Sequence, residues 1–177
     1  MTASLAAVAV FGCGAQQTTP VMPAARQVSA RPLPFKGRLV NGNPKELPPA
    51  VAMSLSNSSP VEFSYREELA HDEHHVSLLA SAFNPATYAG ATLGEYEVTA
   101  FASLSVTKGD RILGDYTAIV HVSKPYSLYA EPTHMELDQR ARAEVRDAID
   151  QKLYRDETRL AEAIAGHDHS GAAATSQ

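Results

Sequence analysis

One cysteine in 177 residues leaves the chain without an internal disulfide or a thiolate metal cluster. The fold must be held by its core instead. Residues 1–45 contain no acidic residue, although Arg26, Arg31, Lys36, Arg38 and Lys45 lie among them. The remaining 132 residues hold 10 basic and 20 acidic side chains, so a basic arm leads into an acidic body. A formal net charge of −5 disfavours general nucleic-acid binding, which needs clustered Lys and Arg. No G-x-S-x-G, G-x-G-x-x-G, Walker A, H-E-x-x-H or CxxC pattern occurs. The first apolar run, Ser4 to Phe11, has eight positions, far below the ~20 that a membrane-spanning helix requires.

Eight apolar positions do suit the core of a signal peptide. The run is followed by Val10-Phe11-Gly12-Cys13. This string resembles the lipobox of bacterial lipoproteins, with an aliphatic residue three before the cysteine and a small one directly before it. Phe11 and the lack of an early Lys or Arg depart from the usual pattern. The resemblance implies that residues 1–12 are a signal peptide and that Cys13 becomes the lipidated N-terminus. It would carry a diacylglycerol whose buried methylenes each add ~0.8 kcal/mol of membrane affinity. Gly14 follows, rather than Asp, which in Gram-negative bacteria implies an outer-membrane location facing the periplasm. The alternative is an N-terminal strand or helix with Cys13 in the core. Residues 13–34 are polar, small and punctuated by proline, which favours the tether.

The body, 35–166, reads as one α+β domain. Its pattern predicts an antiparallel sheet of four or five strands, with an amphipathic helix over about 134–165 on one face. "FKGRLV" suits a short first strand. Val51, Met53 and Leu55 alternate, as do Val61, Phe63 and Tyr65, which suggests a hairpin. "REELAHDEHHVSLLASAF" is read as helical on the rough spacing of Leu69, Val76, Leu79 and Phe83. The clearest element is a long hairpin over about 95–123, apolar at Tyr96, Val98, Ala100, Ala102, Leu104 and Val106, then at Ile112, Tyr116, Ala118, Val120 and Val122. Even must face even, so an odd loop is expected. A loop of Lys108 to Asp110 would pair Val106 with Ile112 and set Glu97 opposite His121. Thr133 and Glu136 form a capping-box pattern ahead of the stripe Leu137, Ala141, Val145, Ile149 and Leu153. Glu136–Arg140 and Asp138–Arg142 are spaced as solvent-face ion pairs. Gly166 is expected to end the helix, with 167–177 a disordered tail.

Few residues carry recognisable chemistry. His71, His74 and His75 lie in a cluster dense in metal-ligand types. On a helix, His71 and His75 would stand one turn apart and could hold a divalent ion. Ser105 and Lys108 match S-x-x-K, but the string runs off a strand, so the two residues point to opposite faces. With Cys13 assigned to lipidation, no nucleophile set remains and an enzyme is not expected. Tyr126 and Tyr129, in the exit from the hairpin, suit a partner contact because tyrosine is apolar at one end and wet at the other.

The order of anchor, linker, strands, long hairpin and final helix is similar to small envelope-assembly lipoproteins, such as the lipopolysaccharide-assembly lipoprotein of the outer membrane. That resemblance covers roughly 95–155. It implies a membrane-anchored, non-enzymatic protein whose only cofactor is the lipid on Cys13, and which binds an envelope protein in assembly, trafficking or scaffolding. The alternative is a periplasmic metal-binding protein using His71, His74 and His75.

Overall fold

A computed structural model describes residues 29–75, 83–129 and 134–171, with the side chains of 74–75 and 167–171 outside that description. The elements are β1 (Arg38–Asn41), a 3-10 turn (Pro44–Glu46), α1 (Pro49–Met53), β2 (Val61–His75), α2 (Pro85–Tyr88), β3 (Thr92–Lys108), β4 (Arg111–Ser127) and α3 (His134–Gly171). The four strands form one sheet in the order β1-β2-β3-β4. β2, β3 and β4 pair antiparallel, whereas β1 runs parallel to β2. The class is α+β, and the sheet is mixed rather than purely antiparallel.

The two long elements match in size. Seventeen residues of β3 at ~3.4 Å each span about 58 Å. Thirty-eight residues of α3 at ~1.5 Å each span about 57 Å. One helix can therefore cover the sheet from end to end. Its stripe of Leu137, Ala141, Val145, Ile149, Leu153 and Leu160 is fully buried. It packs on Val98, Ala100, Ala102, Leu104 and Val106 of β3 and their even-numbered neighbours in β4. The other sheet face is wetter and carries side chains such as Ser103, Ser105, Thr117 and His121. The helix passes Gly166, expected to end it, and its backbone continues to Gly171. Thr133, the expected cap, lies outside the described residues.

The hairpin departs from expectation at its tip. Lys108 pairs directly with Arg111, so the loop has two residues, Gly109 and Asp110. Gly109 takes φ 58°, as the first position of a tight primed turn requires. Such a loop pairs Thr107 with Ile112, but the register then shifts and Val106 faces Gly114. Leu113 is the extra residue of a bulge, which restores the even-to-even register. Leu104 therefore meets Tyr116, Ala102 meets Ala118 and Val98 meets Val122. Ile112, expected in the core, is 66% exposed, and Leu113 is buried in its place. Gly114 permits this crowding, because a Cβ there would lie 2.7 Å from the Tyr116 ring. Glu97 faces Ser123, and Thr99 faces His121.

Two further expectations change. Residues 49–53 form α1, not a strand, because Pro48-Pro49 starts a helical turn, and its Ala50 and Val51 join the core. The segment after Tyr65 is no helix. β2 continues unbroken to His75, paired residue for residue with β3 from Val61–Lys108 to His75–Gly94. Propensity favoured a helix there; the ladder offered by a 17-residue neighbour overrides it.

β4 is the outer strand on one side. Pro125 lies within it, the bulge bends it near the tip, and the Lys152 ammonium donates to the Thr117 carbonyl. A proline, a bulge and a covering lysine are the usual means of blunting an exposed edge.

Candidate functional site

The base of the hairpin gathers aromatic side chains. Thr92 pairs with Ser127 there, and α2 lies just before β3. Tyr96, on the helix-facing side, is buried. Its ring lies 4.7 Å from Tyr126 and 4.8 Å from His134, the latter edge-on at 73°. Tyr126 is half-buried against Tyr96, and it is Tyr96 that joins the sheet to the start of α3. Tyr129 is different. It is 69% exposed and donates its hydroxyl to the Tyr88 carbonyl at 2.9 Å. Phe83 is 85% exposed, and Tyr88, Leu128 and Met135 also face outward. These are five of the nine exposed large apolar residues among the described positions, and all five belong to segments that meet at this end. The Lys124 ammonium reaches both Glu136 carboxylate oxygens at 3.1 Å at the margin.

The histidine cluster does not form the expected helical pair. On a strand, four residues separate the Cα atoms of His71 and His75 by about 13 Å, too far for one ion to bridge as a helical i,i+4 pair does. His74 occupies the alternate position of the same strand. The side chains of His74 and His75 lie outside the described residues. The His71 Nε2 atom lies 2.8 Å from Asp138 Oδ1 and so ties β2 to α3. Among the described residues, no group of three or more His, Cys, Asp or Glu could hold a metal ion. Ser105 lies opposite Asp115, while the Lys108 ammonium donates to the Ile164 carbonyl at 2.9 Å, so S-x-x-K is split between two faces. Cys13 lies outside the described residues. No helix among those described is long and apolar enough to cross a membrane.

A polar cluster sits on the packed face, where the sequence reading placed none. Glu67 falls in the same register as Phe63 and Tyr65, and its side chain is 1% exposed. It accepts from Tyr65 at 2.7 Å, from Arg142 at 2.6 Å, and from Arg146 at 2.8 and 3.1 Å. Burial pushes the Glu67 carboxyl up, but the bonds from Arg146, Tyr65 and Arg142 outweigh it and leave the group below its usual range. Burial, then the bond to Glu67, raises the Tyr65 phenol. Arg142 thus leaves its expected partner Asp138 for Glu67, and Arg140 pairs with Glu144 rather than Glu136. The strand alternation held the clue, since continuing Val61, Phe63 and Tyr65 puts Glu67 inside.

Beyond Arg146 lies a cavity of about 240 Å³ lined by Ala30, Leu47, Pro49, Ala143, Arg146, Asp147 and Asp150. Asp150 is 3% exposed. Its Oδ2 accepts from the Ala50 amide at 3.0 Å. That bond caps α1, whose own cap position, Pro48, has no side-chain acceptor and whose first helical residue, Pro49, has no N–H. Asp150 Oδ1 has no hydrogen-bond partner among the described residues. Burial pushes the carboxyl up to about 6 against the opposing pull of the Ala50 amide, with nearby Asp147 adding to the rise.

The architecture is that of a single long sheet covered on one face by one helix, with five of the nine exposed large apolar residues among the described positions at the hairpin base. No family model matches the chain, and no curated protein matches it. Among solved structures, it is similar to the rare lipoprotein B from Shewanella oneidensis, with 12% sequence identity and a TM-score of 0.33 over 77% of this chain and 96% of that one.

Proposed function

We propose that the protein is a lipid-anchored component of the bacterial envelope, held by Cys13 at the outer membrane, which faces the periplasm and binds a protein partner without catalysing a reaction. The observation that carries the partner reading is that Phe83, Tyr88, Leu128, Tyr129 and Met135, five of the nine exposed large apolar residues among the described positions, belong to segments that meet at one end of the fold. Exposed apolar groups collected in one place serve contact rather than stability, because water is a poor neighbour for them. Tyr129 is the central contact and Tyr126 its support, stacked on Tyr96. The anchor reading rests on Val10-Phe11-Gly12-Cys13 and on the tether-like residues that follow.

Two measurements test the reading. Radiolabelled fatty acid should enter the wild type and not Cys13→Ser, and the label should fractionate with membranes. A photo-crosslinking residue at 129 should yield a discrete adduct in intact cells, while one at Ile112, exposed at the opposite tip, should not. A soluble, unlabelled wild type would overturn the anchor. The same adducts from both positions, or none from 129, would overturn the binding end.

A further inference from the structure

We infer that the cavity beside Asp150 is a binding site for a primary ammonium group on a short hydrocarbon stem. Three observations converge on that chemistry. The Asp150 carboxylate is almost wholly buried, and one of its oxygens has no donor among the described residues. A buried acceptor without a donor is costly, and an N–H group of a ligand supplies what is missing. The local charge also calls for a cation. Glu67 is shared between Arg142 and Arg146, which leaves those three groups at net +1, while Asp147 and Asp150 contribute −2. Arg146 is committed to Glu67 through Nε and Nη2 and so is drawn away from the two aspartates. Asp147 Oδ2 accepts from Gln151 at 2.9 Å, which orients its carboxylate.

The walls select the stem. Ala30, Leu47, Pro49 and Ala143 offer an apolar surface, and a volume of about 240 Å³ falls below the ~300 Å³ at which drug-sized pockets begin. A small aliphatic amine fits, with its stem against Leu47 and Pro49 and its head toward Asp150 and Asp147. This site is separate from the binding end proposed above. Fifteen residues of α3 part Met135 from Asp150, about 22 Å along the helix.

Titration of the full chain with n-butylammonium, followed by amide chemical shifts and calorimetry, tests the inference. The expected result is saturable 1:1 binding that shifts the amides of Leu47, Ala50, Ala143 and Asp147. Asp150→Asn should weaken it about tenfold or more, and Asp147→Asn several-fold, since each loses a charge-assisted hydrogen bond. n-Butanol and butyrate should bind far more weakly. The inference is overturned if no saturation occurs below ~10 mM, if Asp150→Asn binds equally well, or if n-butanol binds as tightly as the amine. Both aspartate variants keep the size and shape of the side chain, and their folding can be checked by the same spectra.

Discussion

Replacing Asp150 by Asn should stabilise the empty protein at neutral pH, although it alters a fully buried residue. Asp150 has an ordinary value of 3.8 and stands at about 6 when folded. Between those values, the folded state holds a proton that the unfolded state has released. Stability therefore falls as pH rises through this window and levels off above it. A difference of about two units corresponds to about 3 kcal/mol at pH 7.5. Solvent in the open pocket a short distance from the buried carboxylate screens its charge, which reduces the effect to about 1–2 kcal/mol. The asparagine Oδ1 can still accept from the Ala50 amide, so the cap on α1 survives. Urea denaturation of wild type and variant from pH 4 to pH 8 reads the effect directly. The two should be nearly equal at pH 4 and diverge toward pH 7, and thermal melts of the same pair should place the variant about 2–4 °C higher in Tm for each kcal/mol. Glu67 and other carboxylates titrate in both proteins and cancel in the difference. A variant less stable than wild type at pH 7.5, or a difference that does not change with pH, would refute the reasoning. The carboxylate would then be neither poorly solvated nor destabilising, and the case for a cation beside it would weaken.

Three other outcomes follow from the packing. Glu67→Gln removes the shared counter-charge of Arg142 and Arg146, and should cost about 2–4 kcal/mol by chemical denaturation, less than a fully buried pair because both arginines reach solvent. Gly114→Ala places a methyl 2.7 Å from the Tyr116 ring and should cost about 1–3 kcal/mol, whereas Gly109→Asn, at a turn position that tolerates positive φ, should cost much less in the same assay. Tyr129→Ala should change stability by less than about 0.5 kcal/mol, since the residue is exposed, while abolishing the adduct formed at a neighbouring crosslinker on Leu128.

The misread stretch, 66–75, shows why local pattern was insufficient. Glu, Ala, Leu and His suit a helix by propensity, and the polar face of a half-buried strand looks much like a charged surface helix. What decides the matter is β3, whose clean alternation over 17 residues leaves an edge that β2 must pair. Once β2 is a strand, the chemistry changes with it. His71 and His75 move apart, His71 turns to Asp138, and Glu67 enters the packed face. The hairpin tip teaches a related lesson. Parity correctly demanded even against even, but parity can be met by an odd loop or by a two-residue loop with a bulge. Leu113 beside Gly114, off the apolar rhythm, was the mark of the second solution.

By itself, the sequence determined the layer arrangement. Alternation at period two made β3 and β4 two-faced, and the i+4 stripe from Leu137 to Leu153 made α3 their cover, because apolar side chains on regular backbones can be buried on one side only. It also carried the lone Cys13 in its lipobox-like setting. Only the tertiary structure decided which charges went inside. Glu67, Arg142, Arg146 and Asp150 are ordinary surface residues by type, and although the alternation of Val61, Phe63 and Tyr65 points Glu67 inward once β2 is known to be a strand, nothing local names its partners. Their burial comes from contacts across 75 to 100 residues of chain, where the cost of removing a charge from water is set by whichever partner the fold brings beside it.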